Sequence, residues 1–114
     1  MNLTELSSKL SRHETVHIET LGVDMRIKRL TLSELQDVDR LTDLCSTGSG
    51  KNRQVTNLSK LVWTLVKRYF TDADGKPLAA EDTEEASKEW PGNLVVELMK
   101  AFQRVNGGDE PDPN

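Results

Sequence analysis

The stretch TVHIETLGVDMRIKR, residues 15–29, decides the fold at the front of the chain. Apolar and polar side chains alternate on both sides of Gly22, which is the period of a strand with one buried face. One face collects the apolar residues Val16, Ile18, Val23, Met25 and Ile27. Two alternating runs around a glycine predict a β-hairpin, with strands at 15–20 and 23–29.

The hairpin bears on a motif that overlaps it. His13, Glu14 and His17 match the H-E-x-x-H pattern of zinc peptidases, in which two histidines on a helix bind the metal and the glutamate is the general base. A third ligand, for which Glu34 is a candidate, would complete the site. On a strand the two histidines lie about 13 Å apart, too far to share one ion. The hairpin therefore argues against zinc, and we expect no metal, cofactor or catalytic residue.

A helix is predicted to follow the hairpin. Thr31 to Glu34 reads TLSE, a capping box, and opens a helix over 32–45. Its apolar face consists of Leu35, Val38, Leu41 and Cys45. Cys45 is the only cysteine, and packing on this face explains it better than reactivity does.

Helical periodicity predicts three further helices. The strongest pattern covers 54–71, an acidic helix suits 79–90, and a last helix runs over 91–106 between Pro91 and an Asn-Gly-Gly stop signal. The predicted fold class is α+β and mainly α-helical, with an N-terminal β-hairpin followed by about four helices. We expect a single domain at 14–107, after a short amphipathic segment at 1–13 and before a disordered acidic tail at 108–114.

Two loops resemble ligand-binding motifs without satisfying them. Residues 46–53 contain Gly-Lys, but the Walker pattern would need glycine at Cys45 and serine or threonine at Asn52. Residues 72–78 align with a calcium loop only if Phe70 were its first ligand, which an aromatic ring cannot be. We expect a mobile linker and an ordinary turn.

Composition narrows the function classes. Residues 1–70 carry 11 basic and 8 acidic side chains, whereas residues 71–114 carry 4 and 11. The acidic C-terminal part argues against nucleic acid, and no apolar run is long enough for a membrane span. Apolar residues make up 35% of the chain, so its hydrophobic core is small. A small core favours a homo-oligomer or a binding partner.

The helices at 54–71 and 91–106 have apolar arcs wider than one small core requires. A groove between helices is how a binding protein accepts an amphipathic partner helix. The candidate partner-binding residues on these arcs are Leu61, Trp63, Phe70, Met99 and Phe102.

The order of these segments resembles one protein family. It lies in ETVHIETLGVDMRIKRLTLSELQDV (14–38), VWTLVKRYFTDADGKPLAAED (62–82) and WPGNLVVELMKAFQRVNG (90–107). Together they resemble the tail assembly chaperones of long-tailed, siphovirus-type bacteriophages. The resemblance implies a non-enzymatic protein of virion morphogenesis in the host cell cytoplasm. It would bind the helical tape measure protein and recruit tail tube subunits.

Two other functions remain open at this stage. One is a small helical adaptor of transcription or signalling that docks a protein partner. The other, more remote, is the zinc peptidase through His13, Glu14 and His17.

Overall fold

The structure, a computed structural model, describes residues 2–8, 12–48, 50–78 and 83–107. Its helices are α1 (Leu3–Ser8), α2 (Leu32–Leu44), α3 (Leu58–Tyr69), α4 (Glu84–Ser87) and α5 (Gly92–Asn106). Its strands are β1 (His13–Ile18), β2 (Val23–Lys28), β3 (Ser46–Thr47), β4 (Gln54–Val55) and β5 (Phe70–Asp72). The predicted α+β class, with a hairpin followed by helices, is confirmed.

The predicted hairpin is formed by β1 and β2. The strands pair antiparallel, with Val16 opposite Met25 and Ile18 opposite Val23. The alternation buries the predicted apolar face, except that Val23 at the turn is exposed. β1 begins and ends two residues earlier than predicted, because the turn already starts after Ile18, whose carbonyl accepts from the Gly22 amide at 2.8 Å.

β2 has a second antiparallel neighbour that the sequence reasoning missed. β5 pairs with the far side of β2 and places Phe70 opposite Ile27. The prediction of one helix over 54–71 is therefore wrong at both ends, because Phe70 leaves the helix and Val55 belongs to β4. The open edge of β2 supplies hydrogen-bond partners for this short strand, and Phe70 fills the core from it.

The capping box at the start of α2 is confirmed. The Glu34 amide donates to Thr31 Oγ1 at 3.3 Å, and Glu34 Oε1 accepts from the Thr31 amide at 3.1 Å. Hydrogen bonds from Lys28 and then Thr31 lower the pKa of the Glu34 carboxyl. The helix ends at Cys45, which caps it and is buried, and burial raises the pKa of its thiol.

Residues 46–53, predicted to be a mobile linker, contribute to a small ribbon. β3 and β4 pair antiparallel around a 3₁₀ turn at Gly50–Asn52, and Gly48 takes the left-handed conformation with φ 81°. The end of the ribbon is tied to α2, because the Cys45 carbonyl accepts from the amides of Thr56 and Asn57 at 2.9 and 3.0 Å.

α3 and α5 supply most of the core beneath the sheet. The α3 helix starts at Leu58, where the Asn57 side chain caps it by accepting from the Lys60 amide at 3.2 Å. The rings of Tyr69 and Phe102 lie 6.3 Å apart between the two helices. The buried helix residues are Leu61, Val62, Leu65, Val66, Tyr69, Leu94, Val95, Leu98, Ala101, Phe102 and Val105.

A carboxylate on α5 holds the hairpin turn. Glu97 accepts from the backbone amides of Glu19 at 2.7 Å and Thr20 at 3.0 Å. Hydrogen bonding from Thr20, first through its side chain and then through its backbone, lowers the pKa of Glu97. The tip of the sheet is thus fixed to the middle of α5.

Between α3 and α5, the described part of the acidic region contains less helix than predicted. α4 covers four residues, and residues 79–82 of the predicted helix lie outside the described residues. The predicted turn is present, with Asp72 Oδ1 accepting from the Asp74 and Lys76 amides at 2.8 and 2.9 Å. That carboxylate is engaged by its own turn.

Some expectations fall outside the described residues. They are the disorder of the tail at 108–114 and the parts of the N-terminal segment at residues 1 and 9–11. Within the described ranges, no helix has the length and apolar character needed to span a bilayer.

Candidate functional site

A surface groove of about 570 Å³ lies between α2 and α5, above the start of α3. We call it the α2–α5 groove. Its apolar lining consists of Leu35, Val38, Val55, Leu58, Leu61, Met99 and Phe102. Its polar lining consists of Asp39, Thr42, Arg53 and Gln103, with Gly107 at one end. It is larger than the crevice of about 470 Å³ beside Glu19 and Lys100.

Helical spacing generates the two long walls. On α2, Leu35, Val38 and Thr42 recur at i, i+3 and i+7, and on α5, Met99 and Phe102 recur at i and i+3. Each set therefore lies on one stripe of its helix. The Thr42 hydroxyl donates to the Val38 carbonyl at 2.8 Å, so its hydrogen bond is satisfied within α2. The walls thus offer mainly apolar surface.

The α2 side of the groove is acidic. Arg53, at the start of β4, pairs with Asp39 at 3.0 Å and with Asp43 at 2.9 Å. Hydrogen bonds to Asp43 and then Asp39 raise the pKa of the Arg53 guanidinium. One guanidinium serves two carboxylates, which leaves a negative surplus on this rim. The same pairs fasten the ribbon of β3 and β4 against α2.

The structure brings together three of the five residues predicted to bind a partner. Leu61 and Phe102 form the groove floor and are 0% and 3% exposed, whereas Met99 is partly buried and reaches the surface. Because Leu61 and Phe102 are buried in the core, a partner would contact mainly Met99 and the α2 wall. Whether any of them binds a partner stays a prediction.

The other two predicted residues lie away from the groove. Phe70 is buried in the sheet and offers no surface. Trp63 lies partly exposed on α3, with Lys67 Nζ 5.0 Å from its ring centroid, and its Nε1 is buried without a hydrogen-bond partner.

Sequence reasoning missed the α2 wall. The sequence predicts Leu35 and Val38 only as part of an apolar helix face, and both are half-buried in the structure. Val55, predicted within a helix, lies exposed on β4. Apolar spacing identified the right face of α2. It carries no information on whether a second helix covers that face completely.

The two histidines lie on β1, and His17 Nδ1 is 2.8 Å from Asp24 Oδ1 on the neighbouring strand. The helical geometry of the peptidase motif is therefore absent from this segment. No cluster of three potential metal ligands occurs among the residues that the structure describes.

Comparison with solved structures shows a similarity of fold. No protein family and no curated protein matches the sequence. Among solved structures, the chain is similar to the tail assembly chaperone of bacteriophage HK97, with a TM-score of 0.50. The match covers 92% of this chain and 100% of the other.

The two chains share a fold. Their sequence identity is 16%, so the similarity lies in the arrangement of elements and not in conserved side chains. This agrees with the fold that the sequence resemblance implied.

Proposed function

We propose that this protein is a non-enzymatic chaperone of phage tail assembly that binds the helical tape measure protein. The observation that carries the proposal is the fold match over the full length of the HK97 tail assembly chaperone. The α2–α5 groove supplies a physical means of binding. The proposal places the protein in the cytoplasm of the infected host cell and requires no cofactor, nucleic acid or membrane.

The groove suits an amphipathic helix better than a small polar ligand. Its walls are helices of 13 and 15 residues, each about 20 Å long, with apolar side chains repeating every three or four residues. A client helix that presents large apolar residues at i, i+3 and i+7 would bury them against Val38 and Met99. The flexible thioether of Met99 can adapt to client side chains of different shape.

Recruitment of tail tube subunits and self-association are part of the proposal. Copies bound side by side along a long client would gain avidity, because each further contact becomes intramolecular once the first is made. Such binding requires only weak contacts between any one copy and the client.

Co-expression tests client binding directly. The protein is co-expressed with fragments of the long helical protein encoded in the same genome, and soluble complexes are isolated on a tag. We expect one or more fragments to be retained, and Met99→Glu to reduce retention at least tenfold by placing a charge in the groove. Val96→Glu is the matched control, since Val96 lies 42% exposed on the same helix outside the groove.

Two results would count against the proposal. If no fragment is solubilised or retained by the wild-type protein, there is no client. If Met99→Glu and Val96→Glu retain a fragment equally well, the client binds elsewhere on the surface.

A further inference from the structure

One edge of the three-stranded sheet is open. The strand order is β1–β2–β5, and the outer side of β5 is closed by a bridge between Thr71 and Pro77. The outer side of β1 has no neighbouring strand among the residues that the structure describes. β1 is therefore the edge to which a further strand can be added.

The pairing register shows which backbone groups of β1 face this edge. The Arg29 amide donates to the Arg12 carbonyl at 2.7 Å, so these two residues form a hydrogen-bonded pair of the antiparallel ladder. Such pairs alternate along the two strands. The N–H and C=O groups of Thr15 and His17 consequently point away from β2, and both residues are exposed. Within the described part of the chain, these backbone groups have no hydrogen-bond partner.

Two basic side chains lie beside this edge. α5 packs against β1, and a shallow cleft of about 160 Å³ between them is lined by Lys100 and Arg104 on the helix side. We call these two residues the basic shelf. Both are exposed and form no ion pair with any described residue. Glu97, which also lines the cleft, is bonded to the amides of the hairpin turn. The cleft therefore has a surplus of positive charge next to open hydrogen-bonding groups.

The spacing of the basic shelf matches an extended chain. Lys100 and Arg104 are four residues apart on a helix, which is about 6 Å along its axis. Alternate residues of a strand are about 7 Å apart and lie on the same face. α5 runs antiparallel to β1, since Glu97 bonds the turn that follows β1 and Asn106 bonds Lys28 at the opposite end of the hairpin. A strand added to β1 would thus place side chains at i and i+2 over the shelf.

We propose that the edge of β1 binds an extended acidic segment of a partner protein by strand addition. The backbone of the segment bonds Thr15 and His17, and its carboxylates at i and i+2 pair with the basic shelf. A second copy of β1 is disfavoured as the occupant, because it would bring its own basic shelf to the same edge and like charges would meet. The site lies on a different face of α5 from Met99, so the inference is independent of the α2–α5 groove and of the proposed function.

A synthetic peptide of alternating glutamate and valine, with both termini capped, tests strand addition. It is titrated into the full chain, and NMR follows the backbone amides. We expect hydrogen exchange to slow at the Thr15 and His17 amides, which face the edge, and to stay unchanged at the Val16 amide, which already bonds β2.

Two control peptides separate spacing and sign of charge from composition. A peptide of the same composition with its glutamates in one block should bind at least fivefold more weakly, because its carboxylates do not all lie on one face of a strand. A peptide with lysine in place of glutamate should leave exchange at both amides unchanged, because like charges would meet at the basic shelf.

Two variants separate the backbone from the charges. Thr15→Pro removes an outward N–H and leaves the ladder with β2 intact, because proline is tolerated where the N–H of an edge strand faces solvent. Lys100→Glu with Arg104→Glu reverses the charge of the shelf. The matched control is Lys67→Glu with Arg68→Glu, since both residues lie exposed on α3 outside the cleft and the net charge changes equally.

We expect Thr15→Pro and the shelf variant each to bind the glutamate–valine peptide at least fivefold more weakly than the wild type. The α3 control should bind it within twofold of the wild type. Circular dichroism verifies that all three variants are folded.

Four results would overturn the inference. They are unchanged exchange at Thr15 and His17 with the glutamate–valine peptide, equal binding of the lysine peptide, wild-type binding by folded Thr15→Pro, and equal binding by the shelf variant and its α3 control. Slower exchange at the same amides as protein concentration rises without peptide would instead assign the edge to a second copy. None of these measurements involves the α2–α5 groove, so their outcome is separate from that of the client experiment.

Discussion

The side chain of Asn106 is hydrogen bonded to the backbone of Leu30, 76 residues earlier in the chain. Its Oδ1 accepts from the Leu30 amide at 2.8 Å, and its Nδ2 donates to the Lys28 carbonyl at 3.0 Å. One side chain thus satisfies two backbone groups in the connection between β2 and α2. Asn106 ends α5, so this pair of bonds sets the spacing between the two helices that border the groove.

We predict that Asn106→Ala destabilises the fold by about 1–3 kcal/mol, because it leaves partly buried backbone groups without partners. Urea unfolding measures the loss. Asn93→Ala is the control, since Asn93 lies exposed in the first turn of the same helix and should change stability by less than about 0.5 kcal/mol. Equal losses at the two positions would show that the Asn106 bonds contribute little.

Glu97 makes the stability of the hairpin turn depend on pH. Its pKa is lowered from the ordinary value of 4.5, so the carboxylate contributes stability above about that pH, and the contribution is lost as pH falls through the folded pKa. Glu97→Gln keeps one acceptor and loses the charge.

We therefore expect Glu97→Gln to have a lower Tm than the wild type at pH 7, and the difference to shrink as pH falls from about 5 to 3. Thermal unfolding followed by circular dichroism at several pH values measures it. A difference that stays constant down to pH 3 would mean that the Glu97 charge does not stabilise the turn.

Trp63 buries an indole N–H that has no hydrogen-bond partner. We predict that Trp63→Phe changes stability by less than about 1 kcal/mol, because the loss of ring contacts is offset by removal of the unsatisfied donor. Trp63→Ala, which loses the whole ring and its contact with Lys67, should cost about 3 kcal/mol. Unfolding in guanidinium chloride compares the stability of the two variants. If Trp63→Phe loses as much stability as Trp63→Ala, the indole N–H has a partner.

Gly48 is required by the ribbon for two reasons. Its φ is 81°, and a Cβ built there would lie 2.4 Å from the backbone oxygen of Asn52. Gly22, with φ 65°, has nothing within 4 Å of such a Cβ. Both substitutions by alanine incur about 1–2 kcal/mol for the left-handed conformation, but only Gly48→Ala also displaces backbone.

We expect Gly48→Ala to destabilise more than Gly22→Ala. We also expect it to speed hydrogen exchange at the Thr56 and Asn57 amides, which bond the Cys45 carbonyl. Thermal unfolding and exchange measured by NMR test both points. Equal losses and unchanged exchange would show that the ribbon adjusts at no cost.

Local signals in the sequence were enough to predict much of the fold. The alternation in residues 15–29 and the capping box from Thr31 to Glu34 each specify structure within a few residues, and both are present. The helical patterns of α3 and α5 are equally local. Their periodicity depends only on side chains one turn apart.

Features that depend on distant partners were not predictable in this way. Phe70 continues the helical pattern of α3, and only the open edge of β2 explains why it leaves the helix. Likewise, spacing identified Leu61, Met99 and Phe102 as apolar. It could not separate the buried floor from the accessible rim, because that depends on where α2 lies.

The direct passage from α3 into β5 has a mechanical consequence for the groove. Tyr69 ends the helix and Phe70 is already paired with Ile27, so α3 cannot slide or rotate without pulling a strand from the sheet. The floor at Leu61 is consequently rigid. Adaptation to clients of different bulk therefore falls to flexible side chains such as Met99, because α2 is itself anchored by buried Leu41 and Cys45.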